Sequence, residues 1–280
     1  MIRQPVAIGR FYPQNAEQLH EAIPYYFALA RAERKEIVPK NPWALMLPHA
    51  GYVYCGKVIA QTLLDVCLPE ELIILCPNHT GRGKPLGVWP KGAWRMPFGD
   101  CPVSEDLASF LTKNEIFVPD YLSHQNEHSI EVLLPFLYYA CGQKIPHIVP
   151  VCIGTQNPDY LKLASLELSR LLNGAKSQGR HIGLIVSSDM NHYEDHETCM
   201  RKDNLALHEI FQGNGESLLA VCARENITMC GVAPMAMALF CADHAGKREV
   251  TLLAHTSSAE ASGNFRQTVG YAGVHIALSA

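Results

Sequence analysis

Short apolar runs, each ending in proline or a polar cluster, punctuate this chain. Trp43-Ala44-Leu45-Met46-Leu47 runs into Pro48-His49-Ala50-Gly51-Tyr52, and Leu72-Ile73-Ile74-Leu75-Cys76 into Pro77-Asn78-His79-Thr80-Gly81. Runs this short, with no polar alternation, read as strands buried on both faces. Between them Val58, Ile59, Leu63 and Val66 recur at the spacing of one helix face, which predicts a helix over 53–66. The unit is a strand–helix–strand crossover, right-handed, joining adjacent or near-adjacent parallel strands. His147–Ile153 predicts a third buried strand, and Ile182 to Asp189 repeats the pattern of an apolar strand running into polar residues.

The remaining pattern fills in the layers. Residues 4–13 read as an extended lead-in, followed by a helix over 16–31 capped by Asn15 and broken or kinked near Pro24. The charged stretch 32–42 reads as a surface connection, residues 80–85 as a loop, and residues 88–98 as strands or loops at a sheet edge. Helices are expected over 104–112 with Ser104 as cap, over 126–137 with a bend near Pro135, over 160–172 and over 201–211. A turn at 226–234 leads into an apolar helix over 234–242, and two strands, 249–255 and 268–278, close the chain. Nothing marks an interdomain linker, so residues 1–280 are expected to form a single α/β domain with a central, mostly parallel or mixed sheet flanked by helices.

Composition narrows the function classes. With 48% apolar residues there is ample core material, and a net charge of −4 gives no basic footprint for nucleic acid. No signal-peptide core and no membrane-length apolar run is seen, so a soluble cytoplasmic protein is expected. The 10 cysteines are scattered with no C-x-x-C pair, which argues against a zinc ribbon or a thioredoxin-type motif. Most read as small buried hydrophobes. The 13 histidines are the more telling surplus.

Two of those histidines, His49 and His79, fall just past the carboxyl ends of predicted parallel strands, the edge where open α/β sheets bind ligands. Each is either a hydrogen-bonded structural residue or a metal ligand; imidazole suits iron, zinc and copper. Asp189 and His192 follow a strand in the same way. Asp189 reads either as a helix N-cap or as a site carboxylate, and His192 either as a surface residue or as a general base with a pKa near neutrality. Glu127, His128 and Glu131 sit where a helix is expected to begin; the helix dipole alone favours acids there, while His128 could line the site. Cys230, at a turn before a helix, reads from its spacing as a buried thiol.

Taken in order, Leu47-Pro48-His49-Ala50-Gly51-Tyr52, Pro77-Asn78-His79-Thr80-Gly81, Glu127-His128-Ser129-Ile130-Glu131-Val132, Ser187-Ser188-Asp189 with His192-Tyr193, and Cys230-Gly231 with Pro234 resemble the motifs of the Memo family. Ala7-Ile8-Gly9-Arg10-Phe11-Tyr12-Pro13 resembles that family's start. In prokaryotes the family includes AmmeMemoRadiSam system protein B, and its fold is similar to that of class III extradiol dioxygenases, non-haem Fe(II) enzymes. The resemblance implies His49, His79 and Cys230 as metal ligands, with His192, Asp189 and His128 as catalytic or orienting residues. It implies Fe(II) as the cofactor, with copper or zinc as alternatives, and an unidentified small molecule, phenolic or otherwise, as substrate.

The resemblance also leaves two other readings open. One is a non-catalytic iron- or copper-binding component that meets a radical-SAM protein and a third member of the same system. The other is a metal-dependent hydrolase. Two departures bear on the chemistry. Cysteine replaces the dioxygenase carboxylate ligand, keeping the charge but offering a softer, oxidisable donor. Near the C-terminus, where the family often shows a tyrosine and an acid around a Ser-rich loop, this chain reads His255-Thr256-Ser257-Ser258-Ala259-Glu260.

Overall fold

The structure, a computed structural model, describes residues 1–33 and 41–279. The chain opens with β1 (Ile2–Arg3) and α1 (Ala16–Glu33), then enters β2 (Ala44–Leu47), α2 (Tyr52–Leu63) and β3 (Glu71–Pro77). Short elements follow: β4 (Leu86–Val88), β5 (Ala93–Met96), β6 (Gly99–Pro102), α3 (Glu105–Leu111), β7 (Val118–Pro119) and α4 (Leu134–Ala140). Next come β8 (His147–Ile153), α5 (Pro158–Ser177), β9 (Ile182–Ser187), β10 (His192–Glu194), α6 (His196–Gln212) and α7 (Gly215–Arg224). The chain ends with α8 (Val232–Asp243), β11 (Lys247–Ser257), α9 (Ala259–Ser262) and β12 (Thr268–Ser279).

The four apolar runs form the middle of the main sheet because they have no polar face to turn outward. Strands β2, β9, β3 and β8 lie side by side and parallel, and their central residues are fully buried. The complete order is β10–β12–β2–β9–β3–β8–β4–β7, with β11 paired to β12. The outer pairs β12–β2 and β8–β4 are antiparallel, so the sheet is mixed. Strands β1, β5 and β6 make a separate three-stranded sheet. Apolar side chains from Ala7 to Ile276 join one hydrophobic core. The α/β architecture is therefore the one expected, with β9 inserted between the two histidine-bearing strands.

Local differences have physical reasons. Helix α1 runs through Pro24 to Glu33 without a break, because Leu19, Ile23 and Ala30 bury one face on both sides of the proline. Asn15 caps it, its Oδ1 accepting from Gln18 N at 2.9 Å. Of the expected connection 32–42, residues 34–40 lie outside the described residues. Ser104 takes the N-cap position of α3 but bonds Glu71 and Asp106 side chains instead of the helix backbone.

The expected helix over 126–137 begins only at Leu134, with Pro135 in its first turn, where a missing N–H costs nothing. Residues 127–128 are irregular and 129–133 are turns, because Glu127 and Glu131 are fully buried and spend their carboxylates on distant donors. Helix α5 extends beyond 160–172 at both ends, capped by Asn157, and α6 starts five residues ahead of 201, capped by Asp195. Helix α7 was not expected; Asn214 caps it, accepting from Ser217 N at 3.0 Å.

Candidate metal centre

Three of the four core strands each deliver a polar site residue to the same edge of the sheet. His49 lies two residues past the end of β2, His79 two past β3, and Asp189 two past β9. His128 reaches them from the irregular stretch just ahead of the 129–133 turns. The three rings crowd together, with centroids 5.2 Å apart for His49–His79, 5.6 Å for His49–His128 and 5.1 Å for His79–His128. One nitrogen from each lies within 4.8 Å of the others, so the group could hold a metal ion.

The hydrogen bonds behind these rings fix which nitrogen is bare. His79 Nδ1 is 2.9 Å from Glu127 Oε1, and a carboxylate only accepts, so Nδ1 carries the proton. His49 Nδ1 is 2.7 Å from Ser187 Oγ, whose own hydroxyl donates to Ser129 O at 2.8 Å. With that proton committed, Ser187 can only accept, and His49 Nδ1 must donate. In their neutral form both rings therefore have Nε2 as the unprotonated nitrogen, that of His49 facing Cys230 Sγ, the arrangement in which the far nitrogen of a metal-binding histidine is held by an acceptor.

One buried turn organises both rings. Glu127 Oε1 also accepts from Ser129 N at 3.0 Å and Ser129 Oγ at 2.8 Å, while its Oε2 accepts His79 N at 2.7 Å. Burial alone would raise this carboxyl, but the hydrogen bonds and charge of His79, with His128 nearby, hold it down at about 2. For His79, burial opposes protonation and Glu127 outweighs it, so the ring is raised. Burial pushes His49 well down and His128 down, with the neighbouring imidazoles adding to both. His128 also packs on the Phe11 ring, centroids 4.6 Å apart.

The remaining expected residues gather around His49. Cys230 Sγ is 3.4 Å from His49 Nε2 and accepts from Asp189 N at 3.2 Å. Burial, then the Asp189 carboxylate, push its thiol well up. Asp189 is buried and caps no helix; its Oδ1 accepts from His49 N at 2.8 Å, and burial raises its carboxyl against the pull of His192. His192 is half-buried in β10, its Nδ1 2.9 Å from Thr228 O. Gly231 has no room for a side chain, since a Cβ there would meet Ser188 Cβ at 2.3 Å and Ser187 O at 2.6 Å.

Farther back, Arg3 and Glu131 anchor the N-terminal segment. Arg3 Nη1 donates to Glu131 Oε2 at 2.7 Å, Nε donates to His124 O at 2.9 Å, and Nη2 donates to Glu127 O. Glu131 also accepts from Val6 N, Ala7 N and Tyr12 Oη. Sequence reasoning did not single out Ser129, Ser187, Phe11 or Arg3. The serines sit in motifs quoted above, and their position beside predicted ligands was the available signal.

A mixed α/β sheet whose parallel strands bring two imidazoles to one edge, where His128 joins them, defines a protein with a histidine-built centre that could take a metal ion. The chain belongs to the Memo family: the family model described as "Memo-like protein" matches residues 3–275. A MEMO1 family protein of Thermotoga neapolitana is 38% identical, covering 97% of this chain and 98% of that relative. Another from Ignicoccus hospitalis is 35% identical over 99% of each. A crystal structure of uncharacterized protein JW3007 from Escherichia coli K12 covers 82% of this chain at a TM-score of 0.49 and 15% identity, a likeness too low to add to the assignment. No helix among the described residues is long and apolar enough to cross a membrane.

Proposed function

We propose that this Memo-family protein is a non-haem iron oxidoreductase acting on a small oxygen-donor molecule, with His49, His79 and Cys230 as metal ligands and His128 beside them. The observation that carries this reading is the pair of backed imidazoles, each with Nδ1–H tied to an acceptor so that Nε2 is the unprotonated nitrogen of the neutral ring. The spacing of one proposed pair, Cys230 and His49, also fits; the three side chains whose donor atoms lie within 4.8 Å of one another are His49, His79 and His128. Two donors at Zn–S and Zn–N bond lengths, near 2.3 and 2.1 Å, stand about 3.1–3.6 Å apart on one ion. Cys230 Sγ and His49 Nε2 are 3.4 Å apart.

Bound there, Fe(II) would supply electrons and open coordination positions for O2 and substrate. The protein's own residues do the rest. His192 takes a substrate proton at Nε2. Asp189 holds the His49 backbone through its N–H and places carboxylate charge beside the ligands. Phe11 walls one face of His128 with an apolar ring.

The test is anaerobic reconstitution with iron(II), copper(I) and zinc, on wild type, His79→Ala and Cys230→Ala, followed by oxygen-uptake assays with phenols. One iron per chain, lost in both variants, with uptake of O2 abolished in His192→Ala, is the expected result. Failure of wild type to take up any metal refutes the centre. A stoichiometric metal with no oxygen consumption would refute the oxidoreductase and leave a metal-binding protein.

A further inference from the structure

His192 is gripped at two points by a single residue. Its backbone N–H donates to Thr228 Oγ1 at 2.8 Å, and its Nδ1 faces the Thr228 carbonyl oxygen at 2.9 Å. A carbonyl cannot donate, so Nδ1 carries the ring proton and the neutral ring keeps its lone pair at Nε2. That nitrogen has no hydrogen-bond partner among the described residues.

Thr228 is itself seated from behind. Its N–H and Oγ1 both donate to Asn191 Oδ1, at 3.0 and 3.2 Å. Asn191 is fully buried, its side-chain amide donates to Glu194, and its N–H donates to Asp203 Oδ1 at 2.8 Å. Gly270 N donates to its carbonyl at 2.9 Å. The loop that carries the ring and the loop that carries its acceptor are thus locked through one buried amide. The backbone is bent to suit: pairing with β12 shifts register between His192 and Glu194, and Tyr193 adopts a left-handed φ of 61° while 74% exposed. Side chains other than glycine seldom take that conformation without a local reason.

We infer that Thr228, seated by Asn191, is the positioning residue that holds His192 as its Nδ1–H tautomer and leaves Nε2 as the proton acceptor. Its catalytic meaning rests on the proposed role of His192 as the base; the tautomer is a property of this chain's own hydrogen bonds. The same device acts on His49 and His79 for metal binding, whereas here the bare nitrogen belongs to a ring outside the three-imidazole group.

The experiment reads the tautomer directly. Full-length, isotope-labelled protein, metal-free and zinc-loaded, is studied by long-range proton–nitrogen correlation at a pH where ordinary imidazoles are neutral, with His192 signals identified by their loss in His192→Gln. Wild type should show protonated Nδ1 and bare Nε2. Thr228→Ala, which removes the acceptor of His192 N–H and one of the two bonds to Asn191, should give a mixture of tautomers. Thr228→Ser should restore the single form. An Nε2–H ring in wild type, or an unchanged ring in Thr228→Ala, overturns the inference; should Thr228→Ala fail to fold, the wild-type tautomer decides. Zinc calorimetry on the same samples judges the metal reading separately. A chain that binds no zinc but keeps the Nδ1–H ring sinks the proposed function and upholds this one.

Discussion

Replacing Arg3 by Met removes the cation from a fully buried ion pair and probes how the N-terminal segment supports the centre. Arg3 is 2% exposed and its guanidinium lies 4.1 Å over the Trp94 ring. Breaking a buried pair by deleting one partner is typically worth about 3–5 kcal/mol. Glu131 keeps donors from Val6, Ala7 and Tyr12, which softens the loss. Two carbonyls, of His124 and Glu127, lose theirs, which adds about 1 kcal/mol each. The expected destabilisation is about 4 kcal/mol, a large share of the 5–15 kcal/mol typical of a folded domain. At a urea m-value of about 3 kcal/mol/M, the unfolding midpoint falls by roughly 1.3 M.

The double variant Arg3→Met with Glu131→Gln should recover part of this loss, because the uncompensated carboxylate dominates it. Since Arg3 also holds the backbone of the turn behind His79, zinc affinity of the folded single variant should drop about tenfold. A midpoint loss worth less than about 1 kcal/mol, or a double variant as unstable as the sum of its parts, refutes the argument.

Glu127→Gln keeps an oxygen for His79 Nδ1 but turns an amide toward His79 N–H, so two donors face each other; zinc affinity by calorimetry should fall about 10–100-fold. An unchanged affinity would show that Glu127 does not orient the ring. At the opposite edge of the sheet, the hydrogen bonds of Arg180 hold the Glu71 carboxyl below its usual 4.5, assisted by Ser104. A depressed acid stabilises the fold above its ordinary value and loses that contribution as pH falls through the lowered one. The stability gap between wild type and Arg180→Met should therefore narrow as urea melts are taken from neutral pH to below 4.5; a gap independent of pH counts against the pairing.

The apolar runs of β2, β3, β8 and β9 announce themselves because a strand buried on both faces has no polar register to hide. Their order is another matter. That β9 lies between β2 and β3 depends on how three crossovers pack, which no local pattern encodes. The same limit explains Glu127 and Glu131. Acids ahead of an apolar stretch look like a helix start, yet their partners are His79 and Arg3, distant in sequence. His49, His79 and Asp189 were legible as polar punctuation at strand ends, and His128 as an unexpected ring at what looked like a helix start. Ser187, Ser129 and Thr228 were not, since a hydroxyl gains meaning only from the partner the fold brings to it.

The insertion of β9 between the two histidine strands also sets a schedule for synthesis. A growing chain presents His49 and His79 early, but the strand that separates and aligns them arrives more than a hundred residues later, and β12, which flanks β2, arrives last. Before β9 emerges, neither Ser187 nor Asp189 exists to hold His49. Uptake of a metal ion at this centre would therefore follow completion of β9, and a chain cut short before it would lack the groups that back His49.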